Sequence, residues 1–202
     1  MDVRFKREFV VAKALLLWSA ALSPGAGAYT GGPVRAQIHG YEPDEGRIYF
    51  RLQAFDETGS PPEIYYLDLG TPSPSAIRLP ALEDRETNYG KRVPSADWWK
   101  IVDRLLPLEV ASDFELLLSV TSDSLNVDTD WNVRRFDLRA AFRAGDLSAE
   151  ARWEAVCQPL VRVRALYEVP GRSERLALVS YIGRAYGCEE VDVPVVLRRG
   201  TD

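Results

Sequence analysis

The stretch Arg47-Ile48-Tyr49-Phe50-Arg51-Leu52-Gln53-Ala54-Phe55, returned after a turn by Glu63-Ile64-Tyr65-Tyr66-Leu67-Asp68-Leu69, decides the fold class. In the first run Ile48, Phe50, Leu52 and Ala54 share one face, while Arg47, Tyr49, Arg51, Gln53 and Phe55 share the other. That period of two belongs to a half-buried strand. Asp56-Glu57-Thr58-Gly59 supplies turn chemistry with a Gly able to take positive φ, and Pro61-Pro62 stiffens the exit. In the return strand Tyr65, Leu67 and Leu69 form the more apolar face and are expected inward. Tyr49 and Tyr66 are then expected to neighbour each other on the outward face.

Working outward, Val34 to His39 reads as a preceding strand, Tyr41 to Gly46 as a turn, and Ala76 to Leu79 as a short third strand. The plan recurs. Phe114 to Thr121 reads as a strand, Ser122 to Asp130 as a polar loop and Trp131 to Leu138 as its return. Leu160 to Val169, Glu174 to Ala185 and Val191 to Leu197 follow. Ala149 to Cys157 alternates strictly enough for a strand, although Ser148 also suits a helix cap. Three strand–turn–strand modules result, at approximately 33–82, 112–157 and 160–198. They predict an all-β, mainly antiparallel domain over residues 29–202, a sandwich or open barrel. Three modules are too few for the usual propeller of about 4–8 blades. One short helix is expected near 96–106. Ser95 caps it, Asp97 complements its dipole, Trp98, Ile101, Val102 and Leu105 make its apolar stripe, and Pro107 ends it.

Residues 1–28 have the layout of an export signal. Arg4, Lys6, Arg7 and Lys13 form a basic head, Ala14 to Leu22 an apolar run, and Ala26-Gly27-Ala28 a small-x-small cleavage pattern. Lys13 and Pro24 confine the apolar run well below the roughly 20 residues of a spanning helix. Cleavage after Ala28 leaves no membrane span and a chain exported to the periplasm or secreted. Cys157 and Cys188, the only cysteines of 202 residues, are then expected to pair. Closing a loop of about 30 residues stabilises a fold by roughly 3–4 kcal/mol.

Without the leader, 21 basic and 28 acidic residues remain, a net charge of −7. Nucleic acid and anionic membrane surfaces are poor partners for such a chain. His39 is the single histidine, which excludes paired-imidazole metal sites, and no G-x-S-x-G elbow presents a serine to it. A disulfide would also remove both thiols as nucleophiles. Gly31-Gly32 lacks the Lys and context of a phosphate loop. The acidic pairs Asp44-Glu45, Asp56-Glu57 and Glu189-Glu190 sit at turns, where carboxylates stay ionised.

Two ligand sites remain as candidates. Asn126, Asp128, Asp130 and Asp137 fall at positions 1, 3, 5 and 12 of a calcium loop, with Trp131 where such a loop wants Gly. Tyr49, Tyr66 and Trp99 offer flat rings for a sugar or peptide. No catalytic residue and no cofactor other than Ca²⁺ is expected. The leading expectation is a non-enzymatic binding or cell-envelope assembly domain with a protein or glycan partner. The alternatives are an extracytoplasmic hydrolase using dispersed carboxylates and a calcium-stabilised adhesion module.

Overall fold

The computed structural model describes residues 7–8, 32–54, 62–72, 74–83, 85–86, 92–93, 95–111, 116–128, 133–184 and 188–200. Its strands are β1 (Arg7–Glu8), β2 (Val34–Glu42), β3 (Arg47–Ala54), β4 (Glu63–Asp68), β5 (Ala76–Arg78), β6 (Arg85–Glu86) and β7 (Arg92–Val93). The helix α1 (Ala96–Val102) follows. Then come β8 (Glu109–Val110), β9 (Leu117–Asp128), β10 (Val133–Ala144), β11 (Leu147–Val156), β12 (Val161–Glu168), β13 (Arg175–Arg184) and β14 (Glu189–Arg199). The architecture is all-β with one short helix. A single mixed sheet, antiparallel except where β14 meets β2, runs β1-β9-β10-β11-β14-β2-β3-β4-β5, and β8-β12-β13 branch from β14. A separate two-stranded ribbon joins β6 to β7.

The branch at β14 shapes the molecule. One edge of β14 pairs along its length with β13. The other edge joins the ladder of β2 only at Val191 and that of β11 only at Arg198 and Arg199. Pro194 falls between these two contacts, a stretch where β14 has no ladder partner on this edge among the described residues. There the two arms of the sheet diverge. The larger core fills the space between β9–β11 and β12–β14, and Leu138, Phe142, Trp153, Val179, Val193 and Leu197 are among its buried side chains. A second core lies between β2–β4 and the outer face of β13, with Ile48, Phe50, Tyr65, Leu67 and Leu176.

Charge stitches the junction. Asp192, nearly buried, accepts hydrogen bonds from the Arg35 guanidinium at 3.0 Å, the Ala36 N–H at 3.0 Å, the Arg164 guanidinium at 3.3 Å and the Ser180 hydroxyl at 3.3 Å. Arg35 and Arg162 both donate to Glu190 as well. The β12–β13 register shifts between Val163 and Ala165, a bulge that accompanies the reach of Arg164 to Asp192. A buried carboxylate with every acceptor engaged holds four strands in one register.

Several expectations change. The turn expected at Tyr41 to Gly46 is shorter, because β2 continues through Glu42 and pairs with Arg47. Much of the expected polar loop after Thr121 is strand, since β9 keeps its ladder with β10 through Ser124 and, beyond a bulge, to Asp128. Leu147–Val156 is strand, as its alternation indicated. The helix stops at Val102, and not near 106, because the chain then turns so that Leu106 and Tyr41 exchange backbone hydrogen bonds of 2.8 Å each. Gly40 permits this approach, for a Cβ there would meet the Leu106 carbonyl oxygen at 2.7 Å. The Ser95 hydroxyl caps α1 by accepting from the Trp98 N–H at 3.2 Å.

The largest correction concerns the first hairpin. Tyr49 and Ile64, expected outward, are buried with Trp98 in a third core beneath α1. The helical stripe showed that α1 had an apolar face; period-two alternation gave no sign that it lands on the second face of β3–β4. The hairpin loop at Asp56 to Gly59 lies outside the described residues. So does the expected leader, apart from Arg7–Glu8, which pair with β9.

Candidate functional site

The outward face of β9–β11 is a charged surface built by register. On β10, Leu138, Ala140, Phe142 and Ala144 point into the larger core, so Asp137, Arg139, Ala141 and Arg143 point away. Pairing sets them in cross-strand rows. Asp137 lies between Asp123 and Glu154, Arg139 between Thr121 and Arg152, and Ala141 between Ser119 and Glu150. Three carboxylates side by side repel one another. The adjoining basic row relieves this. Arg152 donates two hydrogen bonds to Asp137, at 2.7 and 2.8 Å, and Arg139 one at 3.2 Å. Arg135 pairs with Glu154.

The Arg152 guanidinium, with Arg139 assisting, holds the Asp137 carboxyl below its usual range against the smaller opposing effect of burial. Asp137 is 11% exposed, whereas Arg139 and Arg152 are 59% and 68% exposed. The guanidinia thus cover their carboxylate and present their remaining edges to solvent. Beside them runs an open groove of about 450 Å³, with Ser119, Thr121 and Ala141 as a small-residue floor and Arg139, Glu150 and Arg152 as walls. Such a surface can hold a polar ligand through paired guanidinia and admit a backbone close to the sheet.

The candidate residues read from sequence are scattered around the fold. Tyr49 and Tyr66 are cross-strand partners with ring centroids 6.0 Å apart. Tyr49 is buried under α1, and the Arg47 guanidinium lies 4.5 Å from the Tyr66 ring centroid. Only Trp99 of the three presents an open ring, 51% exposed on the solvent side of α1. The backbone of Asn126 and Asp128 ends β9, and Asp130 lies outside the described residues. Asp137 sits mid-strand, opposite Asp123, whereas Asp128 pairs with Val133. Asp137 therefore does not join Asp128 in a loop, and its oxygens already face two guanidinia. Among the described residues no group of three or more metal-ligating side chains has metal-holding geometry.

His39 sits against α1, its ring edge-on to Trp98 at 4.9 Å. Burial, reinforced by the Arg51 charge, pushes its imidazole down to about 4, so it is neutral at pH 7. Its Nε2 has no hydrogen-bond partner among the described residues. Cys157 and Cys188 form the expected disulfide, which ties the end of β11 to the start of β14. Both cysteines have positive φ, 61° and 53°, a conformation uncommon outside Gly and Asn.

Sequence reading missed Ser119, Thr121, Arg139, Glu150 and Arg152. The usable signal was alternation in Arg135 to Arg143 and Ser148 to Glu154, where nearly every second residue is charged or small. No family model matches the chain, and no curated protein or solved structure shows significant similarity to it.

Proposed function

We propose that this chain is an exported, non-enzymatic binding domain of the cell envelope. Its outward β9–β11 face receives an extended acidic peptide segment of a protein partner. The carrying observation is the Arg139–Arg152 pair gathered around Asp137 beside the groove. Asp137 shows how that pair grips a carboxylate. The small floor lets a peptide backbone approach, and the aromatic platform that sugars favour is missing from the groove lining. An oxidising compartment agrees with the Cys157–Cys188 disulfide and with the leader read in residues 1–28. The hydrolase alternative has less support, because the Asp137 carboxyl, beside the groove, is shifted downward, the wrong direction for a general acid. The calcium alternative has less support because Asp137 is turned to arginines and separated from Asp128.

The test is titration of ¹⁵N-labelled protein with an oligoglutamate peptide and a neutral peptide of equal length. Saturable shifts at Ser119, Thr121, Ala141 and Glu150 are expected with the acidic peptide alone, and they are expected to disappear in Arg139→Gln. Shifts elsewhere, or equal response to both peptides, refute the assignment. Cleavage of either peptide, or preference for an acidic oligosaccharide, also refutes it.

A further inference from the structure

β9 terminates the sheet on one side, and among the described residues β1 alone covers its outer edge. The cover is two residues long, Arg7 against Val120 and Glu8 against Ser119. β9 itself spans 12 residues, Leu117–Asp128. Proteins guard such edges with Pro, Lys or shortness, and β9 has none of these. Its ladder with β10 is unbroken from Leu117 to Ser124, and the register shift comes after that. Two of the exposed large apolar side chains of the described residues bracket this stretch, Leu117 at 43% where it begins and Leu125 at 45% in the register shift just past it.

Their positions are symmetric about Thr121. If two β9 strands meet antiparallel with a two-fold axis at Thr121, Leu117 of one copy faces Leu125 of the other. Ser119 then faces Asp123, Val120 faces Ser122, Leu118 faces Ser124, and Thr121 faces itself. Leucine meets leucine, threonine meets threonine, and no carboxylate opposes another. Moving the axis to Asp123 would oppose two aspartates, and moving it to Val120 would set Leu117 against Asp123. The β1 pairing shows that this edge accepts an antiparallel strand, and it occupies the residues next to the axis.

We propose that β9 is a self-association edge. Two copies of the chain join their β9 strands antiparallel about Thr121, and β1 blocks this contact until the N-terminal segment is removed. The blocking step rests on cleavage of the leader; the pairing itself does not. A closed two-fold contact consumes both edges and stops at the dimer. It also places two copies of the groove residues Ser119 and Thr121 on one continuous six-stranded face.

Sedimentation equilibrium over a concentration series tests this with the full chain and with a chain starting at Tyr29. Every buried core side chain of the described residues lies at Val34 or beyond, so the shorter chain retains that core. The shorter chain is expected to dimerise reversibly, with slowed amide exchange over residues 118–124, while the full chain stays monomeric. Thr121→Glu faces Arg139 within one copy and its own image across the axis, so it is expected to weaken the dimer several-fold while circular dichroism is unchanged. Ser119→Lys sets a cation opposite Asp123 at two places and is expected to tighten it. A monomer at every concentration, or a dimer indifferent to both substitutions, overturns the proposal. Association only with a foreign strand also overturns it. Equal dimerisation of both chain lengths overturns the blocking role of β1. No ligand is present in these measurements, so failure of peptide binding leaves their outcome untouched.

Discussion

The two arms that diverge at β14 start from similar antiparallel strands and end in opposite conditions. In β3 and β4 successive residues on both faces are buried, because the inner core takes one face and α1 takes the other. In β10 burial alternates strictly over Asp137 to Ala144, and among the described residues the outer face of β10 and β11 is open to water. The covered arm uses its second face for stability, with aromatic rings in contact. The uncovered arm leaves its second face to charged residues set in opposing rows. A face on which no described residue rests is where an interaction with another molecule can be placed.

The strongest way to break this comparison is Trp98→Ala. Trp98 is completely buried and holds α1 on Tyr49 and Ile64. Its loss is expected to cost about 3–5 kcal/mol, measured by urea unfolding. Ala141→Ser, on the uncovered face, is expected to stay within about 0.5 kcal/mol. Comparable losses for the two would end the distinction between the arms.

A second test asks how far the arms depend on each other. Replacing Cys157 and Cys188 together by Ser opens the link between β11 and β14 and is expected to cost about 2–4 kcal/mol. Amide exchange is expected to quicken in β9–β11 before β2–β4. Uniform quickening would mean that both arms unfold as one unit.

The smallest effect is a pH dependence confined to the covered arm. The folded-state pKa of His39 lies near 4, below the unfolded value of 6.5. Stability is therefore complete above pH 6.5 and falls as protons bind the unfolded chain preferentially, until the folded imidazole also protonates near 4. After discounting for solvent screening, the loss between pH 7 and pH 5 is about 1 kcal/mol, or a Tm lowered by about 2–4 °C. His39→Phe is expected to flatten that slope. An unchanged slope would place the titrating group elsewhere.

Strand identity was legible wherever one face meets water. The strict alternation of Ala149 to Cys157 identified β11, and Ser95 with Pro107 bracketed the helix, whose end was set by the Tyr41–Leu106 bridge. Legibility failed where burial is two-sided. Tyr49 read as outward because alternation reports one covering layer, and the second layer comes from a helix about 50 residues later. The polar composition of Ser122 to Asp128 read as loop, yet an edge strand with a solvated face tolerates just such residues. For the candidate site, alternation was visible but register was not. Only the pairing of Asp137 with Glu154 and of Arg139 with Arg152 turns scattered charges into rows. Asp192, lone in the apolar run Val191 to Leu197, was a readable sign of a buried polar knot, while its partner Arg35 lies more than 150 residues away.

That knot sets how motion is shared. An oily seam lets two bodies slip past each other, since dispersion forces have little sense of direction. Asp192 is gripped from four directions at fixed angles, so it behaves as a dowel pin through the joint. A push on β2 should then carry β12, β13 and β14 with it, while β9–β11 lie outside the pin's grip.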